Sequence, residues 1–178
     1  MKKYSQVIWI TGLSGAGKTT LASAVVSRLR ADGRPVVQLD GDELRDVLGA
    51  VASNVQNHGR EARLALAMKY SHLCRLIASQ GITVVIATIS LFREIHQWNR
   101  QNLPGYFEVY LKVPIDELRR RDPKGIYRRF DTGKLSDVAG LDLLIDEPQH
   151  PDLLVDSTHT YLADEADDLA SDLIKRLY

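Results

Sequence analysis

The chain has 178 residues, which suffices for one hydrophobic core and makes a second domain of ordinary size unexpected. Its 23 Lys and Arg balance its 23 Asp and Glu, so no net charge attracts nucleic acid or an anionic membrane, and we expect neither partner. A single cysteine, Cys74, excludes an internal disulfide. With no charged-then-apolar leader before Val7, we expect a cytoplasmic protein.

The first part of the chain alternates short apolar runs with segments of helical spacing. Residues 6–12, QVIWITG, predict a strand, and residues 18–30 predict the helix that follows it. A second buried strand is predicted over residues 34–40, RPVVQLD. Asp42 then has the side chain to cap a short helix through residues 43–48.

The later segments continue this alternation. Residues 60–80 predict an amphipathic helix, with Cys74 packed on its apolar side. The apolar side is formed by Leu64, Ala67, Met68, Leu73, Leu76 and Ile77. Residues 82–90 are continuously apolar and β-branched, which is typical of a central parallel strand. Strands are also predicted over residues 107–113 and 152–156, and residues 163–178 predict a closing helix.

Alternating strands and helices predict an α/β fold in three layers, with helices on both faces of a mostly parallel sheet. Ligands of such folds bind at the carboxyl ends of the strands. Residues 119–151 break the pattern and are rich in charge, Gly and Pro, which is typical of a mobile lid. We therefore predict one domain over residues 1–178, with a lid at about residues 119–151.

The stretch GLSGAGKTT follows the first predicted strand and matches the pattern G-x-x-x-x-G-K-[ST]. Glycines let consecutive backbone N–H groups curl around a phosphate, Lys18 reaches the outer phosphates, and Thr19 offers a hydroxyl to Mg²⁺. The start of the next helix adds a partial positive charge. The predicted ATP-binding residues are Gly12, Leu13, Ser14, Gly15, Ala16, Gly17, Lys18, Thr19 and Thr20.

A second group of polar residues follows the second strand, in LDGDELR. Asp42 is placed to orient or deprotonate an attacking hydroxyl, Asp40 to hold metal-bound water, and Arg45 to grip an anionic acceptor. A purely structural interpretation, with Asp42 as a helix cap paired to Arg45, stays open beside the catalytic one. The predicted catalytic residues are Lys18, Asp40 and Asp42, with Mg²⁺ held by Thr19 and, through water, by Asp40.

The phosphate loop alone does not select a reaction. No N-K-x-D element of a guanine-specific switch follows a late strand, and motors normally need a longer chain, so phosphotransfer to a small molecule is favoured. A regulatory protein that binds ATP without turning it over is the alternative from another class. A kinase of nucleic acid 5′-hydroxyls would need a basic, aromatic-bearing groove, which the neutral net charge disfavours.

The order of GLSGAGKTTLA, LDGDELR, ATISLFR, RDPKGIY and GLD…DEP resembles adenylylsulfate kinase, a P-loop NTPase fold, over nearly the whole chain. The resemblance implies transfer of the ATP γ-phosphoryl group to a ribose 3′-hydroxyl, with Mg·ATP at residues 12–19. It implies a catalytic Asp42 with Asp40 nearby, and acceptor contacts from Arg45, Ser90 and Lys124. It also implies a mobile lid over residues 122–142 and suggests a homodimer.

The chain departs from that family where the acceptor base is expected to bind. The family's two aromatic plates around the adenine have no counterpart here: Val138 stands where the lid Phe is expected, and residues 49–63 contain no Phe, Tyr or Trp. Stacking is worth roughly 1–3 kcal/mol per base, so an adenine acceptor is disfavoured. Arg60 or Arg63 takes the place of the arginine in the family's "DR" pair.

These departures resemble a branch of the family that includes cytidine diphosphoramidate kinases, on the segments ATISLFREI, YFEVYLKVP and VAGLDLLIDEPQHPDLLVD. That resemblance implies a cytidine diphosphate conjugate as acceptor, with adenylylsulfate as the alternative. A pyrimidine is small enough for aliphatic walls. The predicted acceptor-binding residues are Asp40, Asp42, Arg45, Arg60, Arg63, Ile89, Ser90, Leu91, Phe92, Arg93, Lys124, Val138 and Leu141.

Overall fold

The structure is a computed structural model that describes residues 6–49, 59–156 and 162–178. Its strands are β1 Val7–Gly12, β2 Val36–Asp40, β3 Thr83–Thr88, β4 Tyr106–Lys112 and β5 Leu153–Asp156. Its helices are α1 Lys18–Ala31, α2 Gly41–Gly49, α3 Arg60–Ala78, α4 Arg93–Asn102, α5 Ile115–Arg121, α6 Ile126–Asp131 and α7 Leu162–Leu177. None of the described helices is long and apolar enough to cross a bilayer.

The five strands form one parallel sheet in the order β2-β3-β1-β4-β5. β1 lies at the centre, with Val7 opposite Val84 of β3 and opposite Tyr106 of β4. Because all strands run the same way, their carboxyl ends share one edge of the sheet. There Asp40 ends β2, the phosphate loop follows β1, and Ser90 follows β3. The predicted α/β fold with a parallel sheet is confirmed.

Side chains alternate between two apolar clusters, one on each face of the sheet. Ile8 and Ile10 of β1 pack into a cluster with α1 and α7, whereas Val7 and Trp9 pack into a cluster with α3 and α4. Cys74 is fully buried in the second cluster, as expected, and burial raises the pKa of its thiol. The continuous burial of β1 and β3 follows from this cover on both faces.

Two details differ from the sequence predictions. Leu76 is 60% exposed and lies off the apolar side of α3, where Tyr70 and Cys74 are buried instead. Asp40, and not Asp42, caps α2: the Asp42 N–H donates to Asp40 Oδ1 at 2.9 Å. The helix begins immediately after β2, so the last strand residue occupies the capping position.

The absence of a side chain at residue 41 permits this abrupt junction between strand and helix. A Cβ on Gly41 would lie 2.9 Å from Thr88 Oγ1 of the neighbouring strand, closer than real Cβ contacts allow. Tyr70 of α3 donates its hydroxyl proton to the Gly41 carbonyl at 3.1 Å. The start of α2 is therefore fixed from both the sheet and the next helix.

Residues 119–151, predicted as a lid, contain the end of α5, all of α6 and a long return segment to β5. Tyr127 of α6 is buried, and its hydroxyl donates to the Ser14 carbonyl of the phosphate loop at 2.9 Å. Further along, the Asp146 N–H donates to the Leu91 carbonyl at 2.9 Å. Both ends of the segment therefore contact loops at the carboxyl edge of the sheet.

Candidate active site

The phosphate loop runs from the end of β1 to the start of α1 and lies at the centre of the carboxyl edge. A Cβ on Gly12 would lie 2.6 Å from the Leu111 carbonyl oxygen, so only glycine fits where the loop leaves the sheet. Gly17, immediately before α1, has a φ of 92°, which side chains rarely adopt. The loop ends at the N-terminus of a 14-residue helix, whose free N–H groups and dipole favour an anion.

Lys18 supplies the positive charge of this loop. Its Nζ donates to the Leu13 carbonyl at 2.8 Å, which folds the side chain back over the loop. Burial, followed by the nearby charge of Lys124, lowers the pKa of Lys18 to about 8, against the opposing effect of Asp42 and Asp40. A bound polyphosphate would raise the pKa of Lys18 again, because it brings negative charge next to the ammonium group.

Thr19 and Asp40 bring a hydroxyl and a carboxylate together beside the loop. Thr19 Oγ1 donates to Asp40 Oδ2 at 2.7 Å, while Asp40 Oδ1 accepts the N–H of Asp42. Both are hard oxygen ligands, the type that Mg²⁺ prefers. The described residues contain no group of three or more His, Cys, Asp and Glu side chains fit to hold a metal. This sparse oxygen set fits Mg²⁺ that arrives with nucleotide phosphates and keeps its waters.

Asp42 lies between two cations from different parts of the chain. Lys124 Nζ contacts Asp42 Oδ2, and Arg45 Nη1 donates to Asp42 Oδ1 at 3.1 Å. Burial raises the pKa of Asp42, but the hydrogen bond and charge of Lys124 and the charges of Arg45 and Lys18 outweigh it, so the pKa is lowered. Asp42 is therefore a carboxylate at neutral pH.

The two arginines at the start of α3 have different surroundings. Arg60 donates to Glu94 and to Asp146 Oδ2, the latter at 3.0 Å, and its guanidinium carbon lies 5.3 Å from the centre of the Phe92 ring. Arg63 donates to the Asp137 carbonyl at 2.5 Å. Burial lowers the pKa of Arg63, and the positive charge of Arg45 adds to this.

Arg63 is therefore close to Arg45 of the Asp42 cluster, while Arg60 is engaged with carboxylates of α4 and the return segment. Repulsion between Arg45 and Arg63 is relieved when an anion lies between them. The sequence leaves open which of Arg60 and Arg63 faces the acceptor. The structure places Arg63, and not Arg60, next to the cluster around Asp42.

The residues after β3 form a tight, mostly buried turn. Ser90 has a φ of 27° and shares a 2.8 Å hydrogen bond with Thr88, while the Ile89 carbonyl accepts the Thr11 hydroxyl proton. Leu91 and Phe92 are buried. Arg93, the first residue of α4 after this turn, donates its N–H to Asp146 Oδ2 at 3.2 Å.

Of the two aliphatic residues predicted to wall the acceptor base, Val138 is buried in the apolar cluster that also contains Ala16 of the phosphate loop, and Leu141 is partly buried against it. The aromatic residue Trp98 of α4 packs edge-on against His72 of α3, with 4.7 Å between the ring centres. The position of the expected lid aromatic is thus filled by a small, inward-packed valine.

The sequence does not reveal the carboxylates that hold the predicted acceptor side together. Asp142 accepts the N–H groups of Asp137 and Val138, and Asp146 accepts from Arg60 and Arg93. Both lie in the segment GLDLLID. The signal was a pair of acidic residues four apart in a Gly-containing loop, but loop residues without periodicity do not reveal their partners.

Residues 4–156 of the chain match the family model described as adenylylsulphate kinase. The chain belongs to this family. Within it, the cytidine diphosphoramidate kinase of Campylobacter jejuni is 36% identical over 158 residues, 89% of either chain. The adenylyl-sulfate kinase of Pseudomonas aeruginosa is 35% identical over 153 residues, covering 85% of this chain and 76% of that protein.

Among solved structures, the adenylylsulfate kinase of Mycobacterium tuberculosis in complex with AMPPNP and APS has a TM-score of 0.85 at 30% identity and covers 98% of both chains. Both resemblances found in the sequence, to the family and to its cytidine diphosphoramidate kinases, are confirmed. The chain is a kinase of this family, a phosphotransferase that acts on a hydroxyl group, with ATP as co-substrate.

Proposed function

We propose that this kinase transfers the γ-phosphoryl group of Mg·ATP to the ribose 3′-hydroxyl of a cytidine diphosphate conjugate such as cytidine diphosphoramidate. The observation that carries the choice of acceptor is the small, inward-packed Val138 at the place of the expected aromatic plate. The relative from Campylobacter jejuni, named cytidine diphosphoramidate kinase, supports it.

In this proposal the phosphate loop binds ATP through its backbone N–H groups, and Lys18 neutralises the outer phosphates. Its Nζ must exchange the Leu13 carbonyl, now at 2.8 Å, for phosphate oxygens. Thr19 would hold Mg²⁺ directly and Asp40 would hold one of its waters, because their oxygens already lie 2.7 Å apart. When bound, Mg²⁺ neutralises charge that develops on the phosphates.

On the acceptor side, Asp42 orients the 3′-hydroxyl and takes its proton. The hydroxyl oxygen forms the new bond to the γ-phosphorus, the bond from that phosphorus to the bridging oxygen breaks, and ADP leaves with the electron pair. A carboxylate of lowered pKa is a weak base, which suits a loose transition state in which the proton leaves late. Asp42 therefore positions the hydroxyl first and accepts its proton late in the reaction.

The cations around Asp42 bind the charged groups of both substrates. Lys124 contacts Asp42 from the lid side, and Arg45 contacts it from α2. In the ternary complex, phosphate oxygens of the acceptor and of ATP would compete with Asp42 for these groups. Arg45, with Arg63 close by, is suited to the 5′-diphosphate of the conjugate because guanidinium groups bind phosphate in a two-pronged fashion.

Adenylylsulfate is the second candidate acceptor. The specific observation in its favour is the Mycobacterium tuberculosis structure, which contains APS and has the same fold over 98% of this chain. The relative from Pseudomonas aeruginosa is also named for that substrate and has nearly the same identity as the cytidine relative. Activity with this acceptor would require contacts other than two aromatic plates.

The test is coupled ADP release with Mg·ATP and each acceptor in turn at low micromolar concentration. We expect turnover with cytidine diphosphoramidate, and phosphorus NMR should show a new 3′-phosphomonoester in the product. The matched control is the 3′-deoxy analogue of the acceptor, which has no attacking hydroxyl and should give only background release. Turnover with adenylylsulfate alone would overturn the proposed acceptor.

A further inference from the structure

The loop of residues 137–143 bridges the two sides of the site. At one end, the Asp137 carbonyl accepts a hydrogen bond from Arg63 of α3 at 2.5 Å. Further along, Gly140 packs on Leu13 of the phosphate loop so closely that a Cβ would lie 2.8 Å from Leu13 Cδ1. The shape of this loop therefore determines where a guanidinium at the acceptor side is held relative to the phosphate loop.

Asp142 fixes the shape of the loop from inside. Its Oδ2 accepts the Asp137 N–H at 2.9 Å and its Oδ1 accepts the Val138 N–H at 2.6 Å. The Val138 carbonyl in turn accepts the N–H groups of Leu141 and Leu143 at 3.0 and 3.2 Å. Both carboxylate oxygens are thus used to bind backbone, and the loop is closed on itself.

One peptide unit links Asp142 to Arg63. The Val138 N–H that Asp142 binds and the Asp137 carbonyl that Arg63 binds belong to the same planar peptide group. Rotation of that group would break both hydrogen bonds together. Asp137 also has a φ of 58°, a conformation that an L-residue rarely adopts unless its surroundings hold it.

We propose that Asp142 is a positioning residue for acceptor binding, which acts by fixing the 137–138 peptide and through it the guanidinium of Arg63. The inference rests on the proposed function, because it assigns Arg63 to the acceptor. The negative charge of Asp142 also acts on Arg63 directly, as its neighbour across the loop. Asp142 itself does not touch the reacting atoms.

The test compares Asp142→Asn and Asp142→Ala with the wild type in steady-state kinetics. Asparagine keeps one acceptor oxygen and alanine keeps none, so the effect should be graded. We expect kcat/KM for the acceptor to fall about tenfold in Asp142→Asn and further in Asp142→Ala, the scale expected when hydrogen bonds to a charged group are lost. KM for ATP should change less than about twofold.

Two controls distinguish a specific effect on acceptor binding from a non-specific loss of structure or activity. Asp172→Asn removes an exposed carboxylate that pairs with Arg176 on α7, and it should leave both KM values unchanged. In an Arg63→Ala background, Asp142→Asn should add less than about a twofold further loss, because its effect passes through Arg63. If the losses in kcat/KM caused by Arg63→Ala and Asp142→Asn multiply in the double variant, the inference is overturned. A rise in KM for ATP as large as the fall in kcat/KM for the acceptor would overturn it as well.

A measurement without turnover keeps this inference apart from the proposed function. Hydrogen exchange of the Val138 amide should be slow in the wild type and faster in Asp142→Asn. If neither acceptor turns over, the proposed function fails, and exchange alone decides whether Asp142 holds the loop. Fast exchange of this amide in the wild type would overturn the positioning role whatever the acceptor.

Discussion

The phosphate loop takes its shape from one short stretch of chain, whereas the proposed acceptor side is assembled from segments far apart in sequence. Residues 12–20 carry the glycines, the lysine and the hydroxyl in fixed order. The acceptor side brings together α2, the first turn of α3, the turn after β3 and the loop of residues 137–143. A local motif can be recognised directly in the sequence, whereas a site assembled from distant segments can be recognised only once the fold is known.

The two regions also differ in what holds them. The phosphate loop is fixed by backbone geometry and by the buried Tyr127 hydroxyl. The acceptor side is held by ion pairs and carboxylate-to-backbone hydrogen bonds that are mostly exposed, such as Arg45 to Asp42. Side-chain contacts of this kind change readily without loss of the fold, so a family can keep its phosphate loop and alter its acceptor.

The largest effect is expected on the phosphate side, from Lys18→Ala. Removing the ammonium group leaves the charge of the transferred phosphoryl group unopposed, so turnover should fall by about three orders of magnitude. Single-turnover kinetics with saturating ATP measures it. Lys175→Ala, at an exposed position of α7, is the matched control and should be as active as the wild type. Comparable turnover in both variants would remove Lys18 from the mechanism.

At the junction of the two regions, Asp42→Asn should lower kcat about 100-fold, because the amide cannot take the proton of the acceptor hydroxyl. ATP affinity should stay within a few-fold of the wild type, as measured by fluorescence titration with a labelled nucleotide. The side chain keeps its size, so unfolding temperature should be unchanged. Full turnover in this variant would leave Asp42 with only its ion pairs to Arg45 and Lys124.

Within the acceptor side, the two arginines should respond differently. Arg63→Ala should lower kcat/KM for the acceptor about tenfold or more, since a phosphate contact is lost. Arg60→Ala should change it less than about threefold, because its exposed pairs with Glu94 and Asp146 stabilise little. Initial rates over a range of acceptor concentrations decide between them. The reverse ranking would place Arg60 at the acceptor.

The smallest predicted effect is a pH dependence of ATP affinity, which arises at the phosphate loop. The pKa of Lys18 is lowered from its ordinary value to about 8, so the ammonium group of the free enzyme is charged below that pH and neutral above it. Affinity for ATP should therefore decline several-fold as the pH rises from about 7 to 9. Calorimetric titration with ATP measures it, and an affinity that rises with pH would contradict it.

The sequence predicted the features that depend on periodicity and on local motifs. The parallel sheet, the two covered faces and the phosphate loop followed from apolar runs and glycine spacing. Leu76 was placed wrongly because a broad apolar stripe does not show where the sheet ends and solvent begins. The sequence predicts Asp42 as the cap of α2, whereas Asp40 occupies that position, because the first residue of a helix is uncertain by one or two positions from sequence alone.

The contacts of the acceptor side could not be predicted in the same way. The pairing of Arg63 with the Asp137 carbonyl spans 74 positions and that of Arg60 with Asp146 spans 86. Such contacts depend on where the return segment crosses α3, which no local pattern encodes. The residue types were visible, and their partners were not.

The most direct measurement of the central claim is a competition between the two acceptors in one reaction. Equal concentrations of cytidine diphosphoramidate and adenylylsulfate, with limiting Mg·ATP, would be sampled at early times and the two 3′-phosphorylated products separated by anion exchange. The ratio of products reports the ratio of kcat/KM values. We predict that the cytidine product forms in clear excess. An excess of 3′-phosphoadenylylsulfate would contradict the proposed acceptor and place this chain with the adenylylsulfate kinases in activity as well as in family.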